Sequence, residues 1–210
     1  VEQLAAIVEG AGHQFSRLEK YAGQEQLVSA VADADALIIR SDNVTAEVIA
    51  AAPNLKIVVR AGAGYDNVDL AAATAAGVVV MNTPGQNSNA VAELALAFMI
   101  FMARTQFTPS TGTEIQGKTI GIQAFGNVGR LVGAKAAALG MKVKAIDPFL
   151  KPEQIAEAGA EPVTDLKELY STCDYVSIHI PATPQTIGSI GYELITSMPK
   201  GATLVNTARK

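Results

Sequence analysis

Short runs of β-branched and other apolar residues alternate with helical patterns along this chain, and the alternation strongly constrains its fold. One helical pattern, TAEVIAAAPN, opens with Thr45, a candidate N-cap, and another, NVDLAAATAAG, ends on Gly77. Strands joined by helices form parallel sheets with helices on their faces. In the first part of the chain the predicted strands are ALIIR (36–40), KIVVR (56–60) and VVVMN (78–82).

A second set of strands and helices follows a break near Pro84 and Gly85, after which a long helix is predicted from about residue 89 to 105. Further helices are predicted at 129–140, in KPEQIAEAG with Pro152 in its first turn, and in TDLKELYSTC, capped by Thr164 or Asp165. The predicted strands are KTIGIQAF, KVKAID, YVSIHIP and ATLVNTA. We therefore predict an α/β protein with two doubly wound parallel-sheet (Rossmann-like or flavodoxin-like) domains, over residues 1–84 and 85–210.

Composition narrows the class of protein. The 210 residues are 49% hydrophobic and 17% charged, which predicts a sizeable core rather than global disorder. The net charge of −4 argues against non-specific nucleic-acid binding, which needs a basic face. The single cysteine, Cys173, excludes an internal disulfide framework and fits a reducing cytoplasm, where we expect the protein to reside.

The most apolar run, 90–103, is shorter than the roughly 20 residues that a membrane span requires, and Glu93 interrupts it. We therefore predict a buried helix there and no membrane partner. The chain begins with Val1 and stops at LVNTARK, directly after an apolar strand, so we expect it to be incomplete at both ends. No metal site is predicted.

The stretch AFGNVG (124–129) follows a predicted strand and opens a predicted helix, as a dinucleotide-binding turn does. Such turns usually read G-x-G-x-x-G, whereas Ala124 takes the first place here; the alternative is a chance pair of glycines that only permits close packing. In the binding turn, Gly126 lets the backbone approach a pyrophosphate and Gly129 lets the helix pack closely. We expect Ala124 to be tolerated with a negative φ.

Asp147 ends the next predicted strand, 21 residues after Gly126. A carboxylate at this place binds the adenosine ribose hydroxyls and repels a 2′-phosphate, so the sequence predicts NAD rather than NADP as the cofactor. Arg130 either adds positive charge beside the phosphates or is an ordinary surface residue.

Several long stretches together resemble the D-2-hydroxyacid dehydrogenase family, in the family's order and over nearly the whole chain. They are RAGAGYDNVDL (60–70), MNTPGQNSNAVAEL (81–94), GKTIGIQAFGNVGR (117–130), YVSIHIPATPQT (175–186) and MPKGATLVNTAR (198–209). The resemblance is greatest to the branch that oxidises 3-phospho-D-glycerate to 3-phosphohydroxypyruvate in serine biosynthesis. The short linker between Arg104 and Gly117 resembles the compact form without an added regulatory domain.

This resemblance implies reversible hydride transfer between NAD and a small anionic 2-hydroxy or 2-keto acid, in a cleft between a substrate domain and an NAD-binding domain. It also implies a homodimer or a larger homo-oligomer. The expected substrate-binding residues are Arg60, Gly62, Ala63, Gly64 and Asn87. The expected cofactor-binding residues are Gly126, Asn127, Val128, Gly129, Asp147, His179, Ile180, Pro181, Thr207 and Ala208. Ala63 and Ile180 depart from the family, because relatives often carry a threonine at these places.

Arg209 matches the family's catalytic arginine, which orients the substrate carboxylate and carbonyl. The family's general acid–base, a histidine paired with a glutamate, lies beyond the position of Lys210, and His13 fits neither role. His179 is expected to be a strand-end residue beside the cofactor rather than a catalyst. Two alternatives stay open: a different substrate of the glycerate, glyoxylate or lactate type, and a non-catalytic regulatory protein of the same fold that binds NADH.

Overall fold

The computed structural model describes residues 1–208. These residues form two compact units, one over Val1–Pro84 and another that begins at Gly85. Arg209, the predicted catalytic arginine, lies outside the described residues.

The first unit is built on a three-stranded parallel sheet in which β2 lies between β1 and β3. Ile39, Arg60 and Asn82 are partners across the sheet, so all three strands end at one edge. Thr45 caps α3 as predicted, accepting from Val48 N at 3.4 Å. The elements are α1 (Glu2–Gly10), α2 (Gln24–Ala30), β1 (Ala36–Ile39), α3 (Ala46–Ala50), β2 (Ile57–Arg60), α4 (Leu70–Ala75) and β3 (Val79–Asn82).

The second unit carries a five-stranded parallel sheet with the order β6-β5-β4-β7-β8. The chain winds outward from β4 first in one direction and then, through β7, in the other, so the strand order reverses beside β4. The helices are α5 (Ser88–Ala103), α6 (Asn127–Ala138), α7 (Pro152–Glu157), α8 (Leu166–Thr172) and α9 (Tyr192–Ser197), with a 3-10 turn at Thr105–Phe107. The strands are β4 (Thr119–Gln123), β5 (Lys142–Ile146), β6 (Glu161–Pro162), β7 (Tyr175–Ile178) and β8 (Thr203–Asn206).

The predicted fold class is confirmed: the chain is an α/β protein with two parallel sheets. The short edge strand β6 was not predicted, because two residues that include Pro162 carry no strand pattern and proline is confined to sheet edges. Of the two candidate caps for α8, Asp165 is the one that accepts a hydrogen bond, from Lys167 N at 3.1 Å.

The long apolar helix α5 is buried on one face only. Ala92, Ala95 and Met99 are fully buried, whereas Leu94 and Phe98 keep 47% and 45% of their surface exposed. The prediction of a buried helix is therefore correct for one face of α5 only. Among the described residues, no helix combines the length and the apolar character that crossing a membrane requires.

Candidate functional site

The candidate cofactor site lies at the carboxyl edge of the five-stranded sheet. Gln123, the last residue of β4, is the partner of Ile146 at the end of β5 and of Ile178 at the end of β7. Because these parallel strands end level with one another, the turn 124–129 meets Asp147 and His179 at the same edge. Ligands of open α/β sheets bind at this edge, where the strand order reverses.

The two glycines of the turn differ in their surroundings. A Cβ on Gly129 would lie 2.2 Å from the carbonyl oxygen of Ala124, so only glycine allows α6 to pack this closely against the turn. A Cβ on Gly126 would have no heavy atom within 4 Å beyond its chain neighbours. Gly126 is the N-cap of α6, and no described side chain caps that helix. The first N–H groups of α6 are therefore available to an anion that approaches along Gly126.

Ala124 has a φ of 73°, so the predicted negative φ is wrong. The hydrogen bonds on either side explain the conformation: Ala124 N donates to Ile146 O at 2.9 Å, and Phe125 N donates to Oδ2 of Asp147 at 2.8 Å. Both amides are thus held toward β5 while the chain turns back into α6. A left-handed conformation costs a non-glycine residue about 1–2 kcal/mol. The first position of the turn is therefore a demanding one, and alanine occupies it under strain.

Asp147 directly follows β5 and joins the strand end to the turn. Its Oδ2 accepts from Phe125 N, and its Oδ1 accepts from Phe149 N at 2.9 Å. Each carboxylate oxygen has two acceptor positions, so the group keeps capacity for ribose hydroxyls. Arg130 is also part of the turn, because its Nε donates to Phe125 O at 3.1 Å.

His179 lies just beyond β7, and its main-chain N–H donates to Gln123 O at 2.9 Å. Its Nε2 is 2.9 Å from Oγ of the fully buried Ser177. Burial lowers the pKa of His179 to about 4, so the imidazole is neutral at neutral pH. A neutral histidine fixed at a strand end fits the expected place beside a cofactor.

Two of the predicted cofactor segments line one cavity of about 220 Å³ at this end of β7 and β8. Ile180 and Pro181 contribute from one segment and Ala208 from the other, together with Ile187 and Asn206. The structure therefore brings these segments together within the second unit.

Thr207 lies between these lining residues, and its hydroxyl is unusual. Its Oγ1 is buried and has no hydrogen-bond partner among the described residues. Leaving a buried hydroxyl unpaired costs about 1–3 kcal/mol. A ligand that hydrogen-bonds to Thr207 would remove this cost, which suits the predicted role of the segment.

The predicted substrate loop in the first unit follows β2. Arg60 ends that strand with only 8% of its surface exposed, and a Cβ on Gly62 would lie 1.4 Å from its Nη1. Gly62 must therefore be glycine for the guanidinium to lie over the loop. The loop is tied to the end of β3, since Asn82 Nδ2 donates to Ala63 O at 2.7 Å and Thr83 N donates to Gly62 O at 3.0 Å.

Sequence reasoning missed two residues at this edge. Asn82 supports the loop through its side chain, and Arg40 directly follows β1, the strand next to β2. A polar or charged residue at the end of a parallel strand, or directly after it, was the signal that could have identified both. Asn87 lies in the second unit as the N-cap of α5, where its side chain makes no capping hydrogen bond. The described residues contain no group of three or more His, Cys, Asp or Glu that could hold a metal ion.

Comparison with known proteins identifies the family of the chain. The family model for "D-isomer specific 2-hydroxyacid dehydrogenase, catalytic domain" matches residues 4–203. D-3-phosphoglycerate dehydrogenase of Mycobacterium tuberculosis (strain H37Rv) is 42% identical over 200 residues, which are 89% of this chain and 38% of that protein. The rat enzyme of the same name is also 42% identical, over 89% of this chain and 37% of its own length. The chain thus spans less than two fifths of the length of these relatives.

Solved structures agree as well. Cofactor (NAD+) bound 3-phosphoglycerate dehydrogenase of Entamoeba histolytica has a TM-score of 0.91 at 44% identity, covering 100% of this chain and 67% of that one. NAD-dependent formate dehydrogenase of Staphylococcus aureus in complex with NAD has a TM-score of 0.84 at 32% identity, over 99% and 66% of the two chains. The resemblance predicted from the motifs is confirmed: the chain belongs to the D-isomer specific 2-hydroxyacid dehydrogenase family.

Proposed function

We propose that the protein is an NAD-dependent D-3-phosphoglycerate dehydrogenase, which reversibly oxidises 3-phospho-D-glycerate to 3-phosphohydroxypyruvate. The geometry of the glycine turn is the observation that supports NAD as the cofactor. A ligand can approach the main chain at Gly126, whereas Ala124 O leaves no room for a side chain at Gly129. Asp147 accepts a hydrogen bond from the turn. The identities of 42% and 44% to proteins that bear this enzyme's name support the choice of substrate.

The residues of the second unit fit the cofactor in named roles. The N–H groups of Asn127 and Val128, at the start of α6, bind the pyrophosphate, where the positive end of the helix adds attraction. Asp147 accepts from the adenosine ribose hydroxyls, and its charge repels the 2′-phosphate of NADP. His179, Ile180 and Pro181 flank the adenosine half, and Thr207 and Ala208 lie nearest the nicotinamide. When bound, NAD supplies the hydride acceptor.

The substrate is proposed to bind through the first unit. Arg60 and the main-chain N–H groups of residues 62–64 hold the carboxylate, and Asn87 is proposed as a further substrate-binding residue. Arg40, at the same sheet edge as Arg60, supplies a second cation, which suits a substrate with both a carboxylate and a phosphate. Two anionic groups on the substrate distinguish phosphoglycerate from lactate or glyoxylate.

Arg209 is proposed to orient the substrate carbonyl, as its family counterpart does. Neither histidine of the chain suits the family's general acid–base. His179 has its Nε2 engaged with Ser177, and His13 follows α1 in the first unit. A homodimer and a cytoplasmic location are also proposed, and the exposed apolar face of α5 supports self-association.

The test is a steady-state assay of the full-length protein with NAD and 3-phospho-D-glycerate, beside D-glycerate with NAD and glyoxylate with NADH. We expect the phosphorylated acid to be the preferred substrate. Turnover of glyoxylate without turnover of 3-phospho-D-glycerate would contradict the proposed substrate and favour a different 2-hydroxyacid dehydrogenase activity. In the same assay Arg209→Ala should abolish turnover while NAD binding persists; equal loss of both would contradict the separate role given to Arg209.

A further inference from the structure

A buried polar pair lies behind the glycine turn, on the side of the sheet that α8 covers. Tyr170 of α8 is fully buried, and its hydroxyl donates to Oε1 of Gln123 at 2.7 Å. Gln123 is itself 6% exposed and is the last residue of β4, directly before the left-handed Ala124. Burying a glutamine and a tyrosine hydroxyl is unfavourable unless they bond to each other, so this pair has a defined geometry.

The side chains of Tyr170 and Gln123 meet on the face of β4 that is opposite α6. A Cβ on Gly121 would contact Leu169 and Cys173, so residue 121 faces α8. Side chains alternate between the two faces of a strand, so Gln123, two residues later, faces α8 as well. Ile122 faces the other way, toward Gly129 and Gly133 of α6. Tyr170 is therefore separated from α6 by the thickness of the sheet.

The main chain at Gln123 and Ala124 is held from both neighbouring strands. Gln123 O accepts from His179 N beyond β7, and Ala124 N donates to Ile146 O of β5. The hydroxyl of Tyr170 adds a third attachment from α8, through the side chain of Gln123. A strained backbone conformation persists only where the surrounding structure over-determines it. Three hydrogen bonds hold Gln123 and Ala124, so the surrounding structure can maintain the left-handed conformation of Ala124.

We propose that Tyr170 is a positioning residue for cofactor binding: through Gln123 it holds Ala124 in its left-handed conformation and so keeps the first N–H groups of α6 aimed at the pyrophosphate. This inference rests on the proposed binding of NAD at the turn. Without the hydroxyl, the amide of Gln123 is buried without its partner and must rearrange, and Ala124 relaxes toward a negative φ. Burial raises the pKa of Tyr170 to about 12, so its hydroxyl stays a donor throughout the pH range of an enzyme assay.

The test is a double-mutant cycle between Tyr170 and Ala124 in the full-length protein, with NAD affinity measured by titration calorimetry and stability by urea unfolding. Tyr170→Phe keeps the buried ring and removes only the hydroxyl. We expect it to raise the Kd for NAD by about fivefold when residue 124 is alanine, a coupling of the size seen between residues in one network. In the Ala124→Gly background the same change should alter the Kd by less than about twofold, because glycine adopts the left-handed conformation without strain.

The matched control is Tyr175→Phe, which removes the hydroxyl of another buried tyrosine of the second unit, at the amino end of β7 and away from the turn. Its Kd for NAD should equal that of the wild type. Gln123→Met removes the same bond without altering α8 and should reproduce the effect of Tyr170→Phe, which keeps the test informative should one variant fold poorly.

Two results would overturn the inference. One is an unchanged Kd in Tyr170→Phe and Gln123→Met with lowered stability, which would make the pair structural only. The other is an equal rise in Kd with alanine and with glycine at residue 124. Failure of the wild-type protein to bind NAD would be a different result, because it contradicts the proposed function itself.

Discussion

The main-chain N–H of Phe125 donates to Oδ2 of Asp147 at 2.8 Å, which joins the proposed ribose-binding carboxylate directly to the glycine turn. Asp147 is therefore a structural acceptor as well as a proposed cofactor residue. We expect its replacement to affect both the affinity for the cofactor and the stability of the turn.

Asp147→Ser should weaken the discrimination against NADP, because the negative charge that repels the 2′-phosphate is lost. The same change leaves the N–H groups of Phe125 and Phe149 without their acceptor, so we expect the free energy of unfolding to fall by about 1–3 kcal/mol. The ratio of the Kd values for NAD and NADP, measured beside urea unfolding, checks both effects. An unchanged ratio would mean that another residue selects the cofactor.

Ala124→Gly should stabilise the protein. Glycine removes the left-handed strain of about 1–2 kcal/mol but adds unfolded-state entropy worth about 0.4–1 kcal/mol. The expected net gain in unfolding free energy is about 0.5–1 kcal/mol. Ala124→Val is the matched opposite change, and it should destabilise the protein because a β-branched residue avoids positive φ. Loss of stability in Ala124→Gly would show that Ala124 is not strained.

Gly129→Ala should destabilise the second unit, because its Cβ would lie 2.2 Å from a main-chain oxygen and the turn or α6 would have to move. Overpacking of this kind typically costs about 1–3 kcal/mol. Gly126→Ala is the control, since its φ of −80° suits alanine and its Cβ meets nothing within 4 Å. Urea unfolding should separate the two variants; similar stabilities would contradict the packing described for α6.

Acid should destabilise the protein through His179. Its pKa of about 4 in the folded state lies below the ordinary value of 6.5, so the fold favours the neutral imidazole. The stabilising contribution is complete above pH 6.5 and is lost as the pH falls from 6.5 toward 4, by about 3 kcal/mol at most. His179→Gln should flatten the unfolding free energy across that window. An unchanged slope in His179→Gln would exclude His179 as the cause.

Most of the architecture followed from local sequence patterns. The β-branched runs identified seven strands, and Thr45, Pro152 and Gly77 marked helix ends because capping and chain-reversal chemistry is local. The strand β6 escaped because a pair of residues has no periodicity. The exposed face of α5 could not be inferred either, since an apolar stretch does not show which of its faces is covered.

The candidate site was predictable only in part. Gly126, Gly129 and Asp147 could be proposed from their spacing, because the turn and the strand end that carry them are local patterns. The conformation of Ala124 did not, because it depends on hydrogen bonds to Ile146 and Asp147, far along the chain. The bond between Tyr170 and Gln123 spans 47 positions and leaves no local pattern.

Calorimetric titration of NAD into the wild-type protein and into Gly126→Ala tests the central claim most directly. We predict that the wild type binds NAD. We expect Gly126→Ala to unfold like the wild type but to bind NAD at least about tenfold more weakly, because the added methyl group occupies the proposed path of the pyrophosphate. Equal affinity in the two proteins, with equal stability, would contradict the assignment of residues 124–129 as the cofactor site.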